Sequence, residues 1–236
     1  MSDFAALERH LTRTLSLTRR PVAIAFRESP PAGVAKLCGT QPSGCSFWRL
    51  AAEGRTFYTV PSDHFNCAVG SYTHSIDPPP ERATETTQTL EFMFRVNYIR
   101  PEEVAGIPRL PHTPAAVLYS ALSDTPVPPS VILFACRPAS AMRLHEAAIR
   151  AGKPGVLPPL GRPTCMALPA ALAHGTVTSL GCIGNRIYTG LSEEDLYVAV
   201  PGVDLPDIAD ALEVISTANA ELAAYAQGRR AELSTG

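Results

Sequence analysis

Apolar residues along the chain fall into short blocks that alternate between two periods. Phe4, Leu7, Leu11 and Leu15 recur at helical spacing behind Ser2 and Asp3, which predicts an amphipathic helix with a polar cap. Residues 21–26 (PVAIAF) form a short apolar run bounded by arginines and read as a strand. Residues 44–52 (GCSFWRLAA) predict a helix stopped by Gly54, and the aromatic and β-branched run 55–60 (RTFYTV) predicts a strand. Residues 90–99 (LEFMFRVNYI) fit either period. Further on, 115–122 (AAVLYSAL) and 131–136 (VILFAC) predict buried strands, and 139–151 a helix closed by Gly152 and Pro154. Residues 165–173 predict another helix, stopped by Gly175, and 176–180 and 196–200 (LYVAV) two more strands. Asp204 can cap a last helix that carries Ile208, Leu212, Ile215, Leu222 and Tyr225 on one stripe.

Two stretches repeat one order of signals. Cys45 opens a helical run, Gly54 stops it, a β-like run follows, and Asn66-Cys67-Ala-Val-Gly70 closes the unit. Cys165, Gly175, the run TVTSL and Gly181-Cys182-Ile-Gly184 follow the same order, and each unit has an apolar strand upstream. The match is one of pattern rather than identity. It predicts an α/β (or α+β) fold of two pseudo-repeated halves, each a small sheet with helices, around a shared cysteine site. The N-terminal half is 1–100, a Pro-rich connection 101–114, the C-terminal half 115–229 and a tail 230–236. A pseudo-twofold axis between such halves brings Cys45, Cys67, Cys165 and Cys182 together.

Composition narrows the class. Hydrophobic residues make up 45% and charged residues 18%, enough apolar surface for a core and too much for a disordered chain. The 23 prolines cluster between apolar runs, as at 78–80, 126–129 and 158–163, and read as stiff loops. Net charge is -2 and no Lys/Arg run occurs, so no nucleic-acid partner is expected. No stretch reaches the roughly 20 apolar residues of a membrane span. The N-terminus lacks the basic-then-apolar order of a signal peptide. A cytoplasmic location follows, where six cysteines are read as thiols or metal ligands rather than disulfides.

At these cysteines the chain resembles domain-of-unknown-function family 169, found in archaea and bacteria. The resemblance spans about 21–212. It rests on the PVAIAF strand, Gly44-Cys45, the turn Cys67-Ala-Val-Gly70, the VILFA strand with the helix 138–144, a cysteine at Cys165, and the turn from Ser179 through Cys182 to Arg186. The family often has a further cysteine where this chain has Asn185. The resemblance implies the fold and the cysteine set; it implies no activity.

Four thiolates can complete a tetrahedral zinc site or the corners of an iron–sulfur cluster. Ligands at 45, 67, 165 and 182 lack the close pairs of a zinc finger and suit a cluster held between two halves, with zinc as the alternative. Gly44, Gly70, Gly181 and Gly184 flank them and let backbone approach a bulky group. Asn66 and Asn185 can donate to cluster sulfides, and Arg186 can balance charge or hold an anionic substrate. With three cysteine ligands, Cys165 is left as a free thiol for nucleophilic or sulfur-accepting work. His64, three residues before Cys67, can act as ligand or proton donor. His64, Cys165 and Arg186 are therefore the catalytic candidates. Cys136 ends an apolar strand and reads as a buried packing thiol, and Cys38 as a loop thiol. There is no GxSxG, P-loop or GxGxxG.

The expected function is redox or sulfur-transfer chemistry on a small molecule. The alternatives are a non-catalytic metal- or ligand-binding protein and a metal-free α/β domain. A homo-oligomer is compatible with all three.

Overall fold

The computed structural model describes residues 3–153, 155 and 159–234. Met1 and Ser2, Pro154 and Pro158, and the last two tail residues lie outside them. The fold is mixed α/β. Strands β1 (Val22–Arg27), β2 (Phe57–Thr59), β3 (Ala116–Ala121), β4 (Val131–Cys136), β5 (Val177–Ser179) and β6 (Leu196–Pro201) form one six-stranded sheet in the order β2-β3-β1-β4-β6-β5. All five neighbouring pairs are antiparallel.

The apolar blocks become strands because helices cover both faces of the sheet. Strand side chains alternate between faces, so Val22 and Ile24 join Val131, Leu133, Tyr119 and Tyr197 in one core, while Ala23 joins Ile132, Phe134, Cys136 and Val198 in the other. The first core is closed by α2 (Gly44–Ala52) and α7 (Ala167–His174), the second by α1 (Phe4–Leu15), α6 (Pro138–Arg150) and α9 (Leu205–Ser234). Asp3 caps α1 by accepting from the Ala6 N–H at 2.9 Å, and Ser43 caps α2 by accepting from the Cys45 N–H. Short helices α3 (Ala68–Thr73), α5 (Pro101–Val104) and α8 (Ile183–Thr189), with the longer α4 (Pro80–Arg95), gather outside the first core. No helix among the described residues is long and apolar enough to cross a membrane.

Two separate small sheets are not what forms. Strands β1 and β4 are apolar on both faces and pair at Val22↔Leu133, Ala23↔Ile132 and Ile24↔Val131, which removes two edges that would otherwise be left open. On either side of this seam the pairing follows one scheme. Val22 lies opposite Ala121 as Val131 lies opposite Pro201, and Phe57 opposite Tyr119 as Val177 opposite Ala199. The Leu122 N–H donates to the Pro21 carbonyl at 2.9 Å, as the Gly202 N–H does to Ser130 at 2.8 Å.

Other expectations need correction. The ambiguous run 90–99 supplies the end of α4, because Pro79 and Pro80 start a helix that runs unbroken to Arg95. The turn after Cys182 is the helix α8. The stripe on α9 is buried only through Leu212; Leu222 and Tyr225 are 63% and 67% exposed, since a helix of 30 residues, about 45 Å long, runs beyond the sheet it covers.

Candidate metal and ligand site

The four grouped cysteines stand at the starts of helices above one face of the sheet. Cys45 is the second residue of α2, and Cys165 sits in the 3-10 turn Thr164–Met166 that leads into α7. Cys67 and Cys182 occupy the N-cap positions of α3 and α8. The Cys67 sulfur accepts from the Gly70 N–H at 3.3 Å and lies 3.8 Å from the Ser43 hydroxyl. The Cys165 thiol donates to the Val69 carbonyl at 3.8 Å. The Cys182 N–H donates to Thr164 Oγ1 at 2.5 Å, so the two later cysteines are tied together through Thr164.

All four line one cavity of about 440 Å³. Cys45 and Cys165 are buried, while Cys67 and Cys182 are half-buried. Helix α3 reaches α2 through two glycines: a Cβ on Gly70 would lie 3.0 Å from the Cys67 sulfur and 3.9 Å from Gly44 Cα. Gly181 has φ +79°, which favours glycine, and Gly184 lines the cavity. The opposite wall is apolar, with Leu90, Met93, Val96, Ile99, Val104 and Ile107 coming from α4, α5 and their flanks. Tyr98 and Arg162 stand at this wall, the guanidinium 5.2 Å from the ring centroid and 3.7 Å from the Glu103 carboxylate.

Burial, and then the neighbouring Cys67, pushes the Cys45 thiol up to about 12. Burial, followed by Cys45 and Cys67, pushes Cys165 well above its ordinary value. Tyr98 is also raised, by burial and by Cys182. Without a cation both buried thiols stay protonated at neutral pH; a soft metal reverses this by stabilising thiolate.

The remaining candidates separate into one that faces the cavity and several that do not. Asn185 lines it and is 1% exposed; neither Oδ1 nor Nδ2 makes a close hydrogen bond, and the amide stands beside the Cys45 thiol and the Tyr197 hydroxyl. Asn66 is exposed and outside the cavity lining; its Nδ2 donates to the Gln41 carbonyl at 3.4 Å and its Oδ1 accepts from Arg82 Nη2 at 2.6 Å. Arg186 lies outside the wall and donates to the carbonyls of Leu180, Ser192 and Asp195, which makes it the clasp of a loop. His64 is in the core behind the cysteines. Its Nε2 is 2.8 Å from Thr59 Oγ1, and its ring lies 5.0 Å from Phe47 and 5.3 Å from His74. Burial, then His74, holds it well below the ordinary histidine value. Cys136 packs on the opposite face of the sheet and Cys38 is exposed.

Three parts of the site escaped sequence reasoning. Thr164 precedes Cys165 in a Pro-rich stretch and reads as loop. Tyr98 and the α4 wall lie in the run of ambiguous period. His74, whose Nε2 makes no hydrogen bond, and the buried Tyr119 hydroxyl are polar points beside His64 that no spacing announces.

The four thiols are of a type that suits a soft metal. Among the described residues no three His, Cys, Asp or Glu are gathered closely enough to hold one metal ion. Zinc needs thiolates at about 2.3 Å from one centre, whereas a cluster spreads its ligands over several metal atoms.

Comparison with known proteins adds a family but no activity. The model of domain-of-unknown-function family 169 (DUF169), described as an uncharacterised ArCR family, matches residues 10–211. The uncharacterised protein MJ0308 of Methanocaldococcus jannaschii is 27% identical over 181 residues, covering 72% of this chain and 75% of the relative. No solved structure matches the chain.

Proposed function

Given that the chain belongs to domain-of-unknown-function family 169, whose description carries no activity, we propose that it is a cysteine-ligated iron–sulfur protein that performs redox or sulfur-transfer chemistry on a small molecule. One observation carries this reading: thiols from positions 45, 67, 165 and 182 line a single cavity although they come from four different helix starts. Cys45, Cys67 and Cys182 hold the cluster, with Cys165 as fourth ligand or as a free thiol beside it. A cluster supplies one-electron transfer or a labile sulfur. The chain supplies the Gly70 N–H aimed at the Cys67 sulfur and apolar walls that keep water from the metal. Free thiols of this kind belong in a reducing compartment, which makes the cytoplasm the proposed location.

The test is anaerobic purification of the full chain followed by iron, acid-labile sulfide and zinc analysis. Iron and sulfide in comparable amounts support the proposal. Stoichiometric zinc without sulfide supports the metal-binding alternative instead, and the absence of all three leaves a metal-free α/β domain.

A further inference from the structure

We propose that the same cavity binds, beside the cysteines, a small uncharged apolar molecule carrying one carboxamide-type group, with that group on Asn185 and the apolar body under α4 and α5. Two observations point to this occupant independently of any metal. The first is Asn185 itself. It is 1% exposed, lines the cavity, and makes no close hydrogen bond through either amide atom, its polar neighbours being the Cys45 thiol and the Tyr197 hydroxyl. A buried amide without close hydrogen bonds is costly, and a leucine of similar size would not carry that cost. An amide on a ligand offers the complementary acceptor and donor side by side.

The second observation is the opposite wall. Helix α4 has no buried residue, yet Leu90 and Met93 on it, with Val96, Ile99, Val104 and Ile107 beyond, turn apolar surface toward the cavity. A volume of about 440 Å³ is within the range of small-molecule sites. Among the described residues no carboxylate lines it, and the lining cation, Arg162, is already beside Glu103 and stacked on Tyr98. The occupant is therefore neutral rather than ionic.

Calorimetric titration of the anaerobically isolated full chain with n-heptanamide tests this, with heptanoate and heptylamine as charged controls of the same length. Heptanamide is expected to bind one per chain, with both controls at least about tenfold weaker because their charge enters an apolar chamber unpaired. Asn185→Leu should erase the preference for the amide. Met93→Trp, on the helix without buried residues, should fill the chamber and abolish binding with the thermal melt unchanged. No binding by wild type, unaltered binding by Met93→Trp, or an amide preference that survives Asn185→Leu would overturn the proposal. Iron content of the same wild-type preparation separates this outcome from the fate of the cluster. Iron-free protein that binds heptanamide supports the chamber alone, and iron-loaded protein that does not bind it contradicts the chamber alone.

Discussion

The backbone N–H of Cys182 donates to the side-chain oxygen of Thr164 at 2.5 Å, so the residue just before Cys165 sets where the helix carrying Cys182 begins. Thr164 is itself buried. Thr164→Val keeps the shape and removes the acceptor, leaving a part-buried N–H unpaired. It should cost about 1–3 kcal/mol in urea unfolding and lower metal content as well. A variant with wild-type stability and metal content would show that the link is idle.

Serine substitutions sort the thiols by role. Cys67→Ser and Cys182→Ser should each lower bound metal sharply, because a hydroxyl is a poor soft-metal ligand. Cys136→Ser, on the opposite face of the sheet, should keep its metal and cost about 1–3 kcal/mol for placing a hydroxyl in an apolar strand. Equal metal loss in all three would indicate general unfolding.

The histidines make the fold acid-sensitive. Burial depresses His74 from 6.5 to about 4 and holds His64 well below its ordinary value. A base with a depressed folded-state pKa favours the native state at high pH. The stabilisation is complete above about 6.5 and is lost as pH falls through the folded value, His74 alone accounting for about 3 kcal/mol. Urea midpoints measured from pH 7 down to pH 4 should therefore fall steadily, and less so in a His74→Leu variant. Flat midpoints over that range would contradict the buried, neutral pair.

The end of α9 should be dispensable to the monomer fold. Among the described residues none after Leu212 is buried, and Asn219 is tied to the body by donating to the Glu146 carboxylate at 2.8 Å. Deleting residues 221–236 should change stability by less than about 0.5 kcal/mol. A larger loss in thermal melts would mean that the exposed Leu222 and Tyr225 pack against another copy.

Much of the fold was legible because its strands are apolar blocks bounded by punctuation. PVAIAF, VILFAC and LYVAV became β1, β4 and β6 within a residue or two, and Gly54 and Gly175 mark the ends of α2 and α7. The number of sheets was not legible, since nothing local in β1 or β4 tells which strand will cover its second edge. Leu222 and Tyr225 keep helical period whether or not anything packs on them, so the stripe overstates the core. Within the site, cysteine order pointed to a common cavity. Asn66 and Arg186 do not line the cavity, because proximity in sequence to Cys67 and Cys182 says nothing of side-chain direction: one reaches Gln41 and Arg82 and the other loop carbonyls.

The most direct test of the cysteine site is X-ray absorption at the iron edge on anaerobically isolated protein. The predicted result is a first shell of sulfur alone with iron neighbours beyond it, losing one sulfur contribution or all bound iron in Cys67→Ser and Cys182→Ser. Protein without iron, or iron in a shell of oxygen and nitrogen that neither substitution alters, would contradict the account.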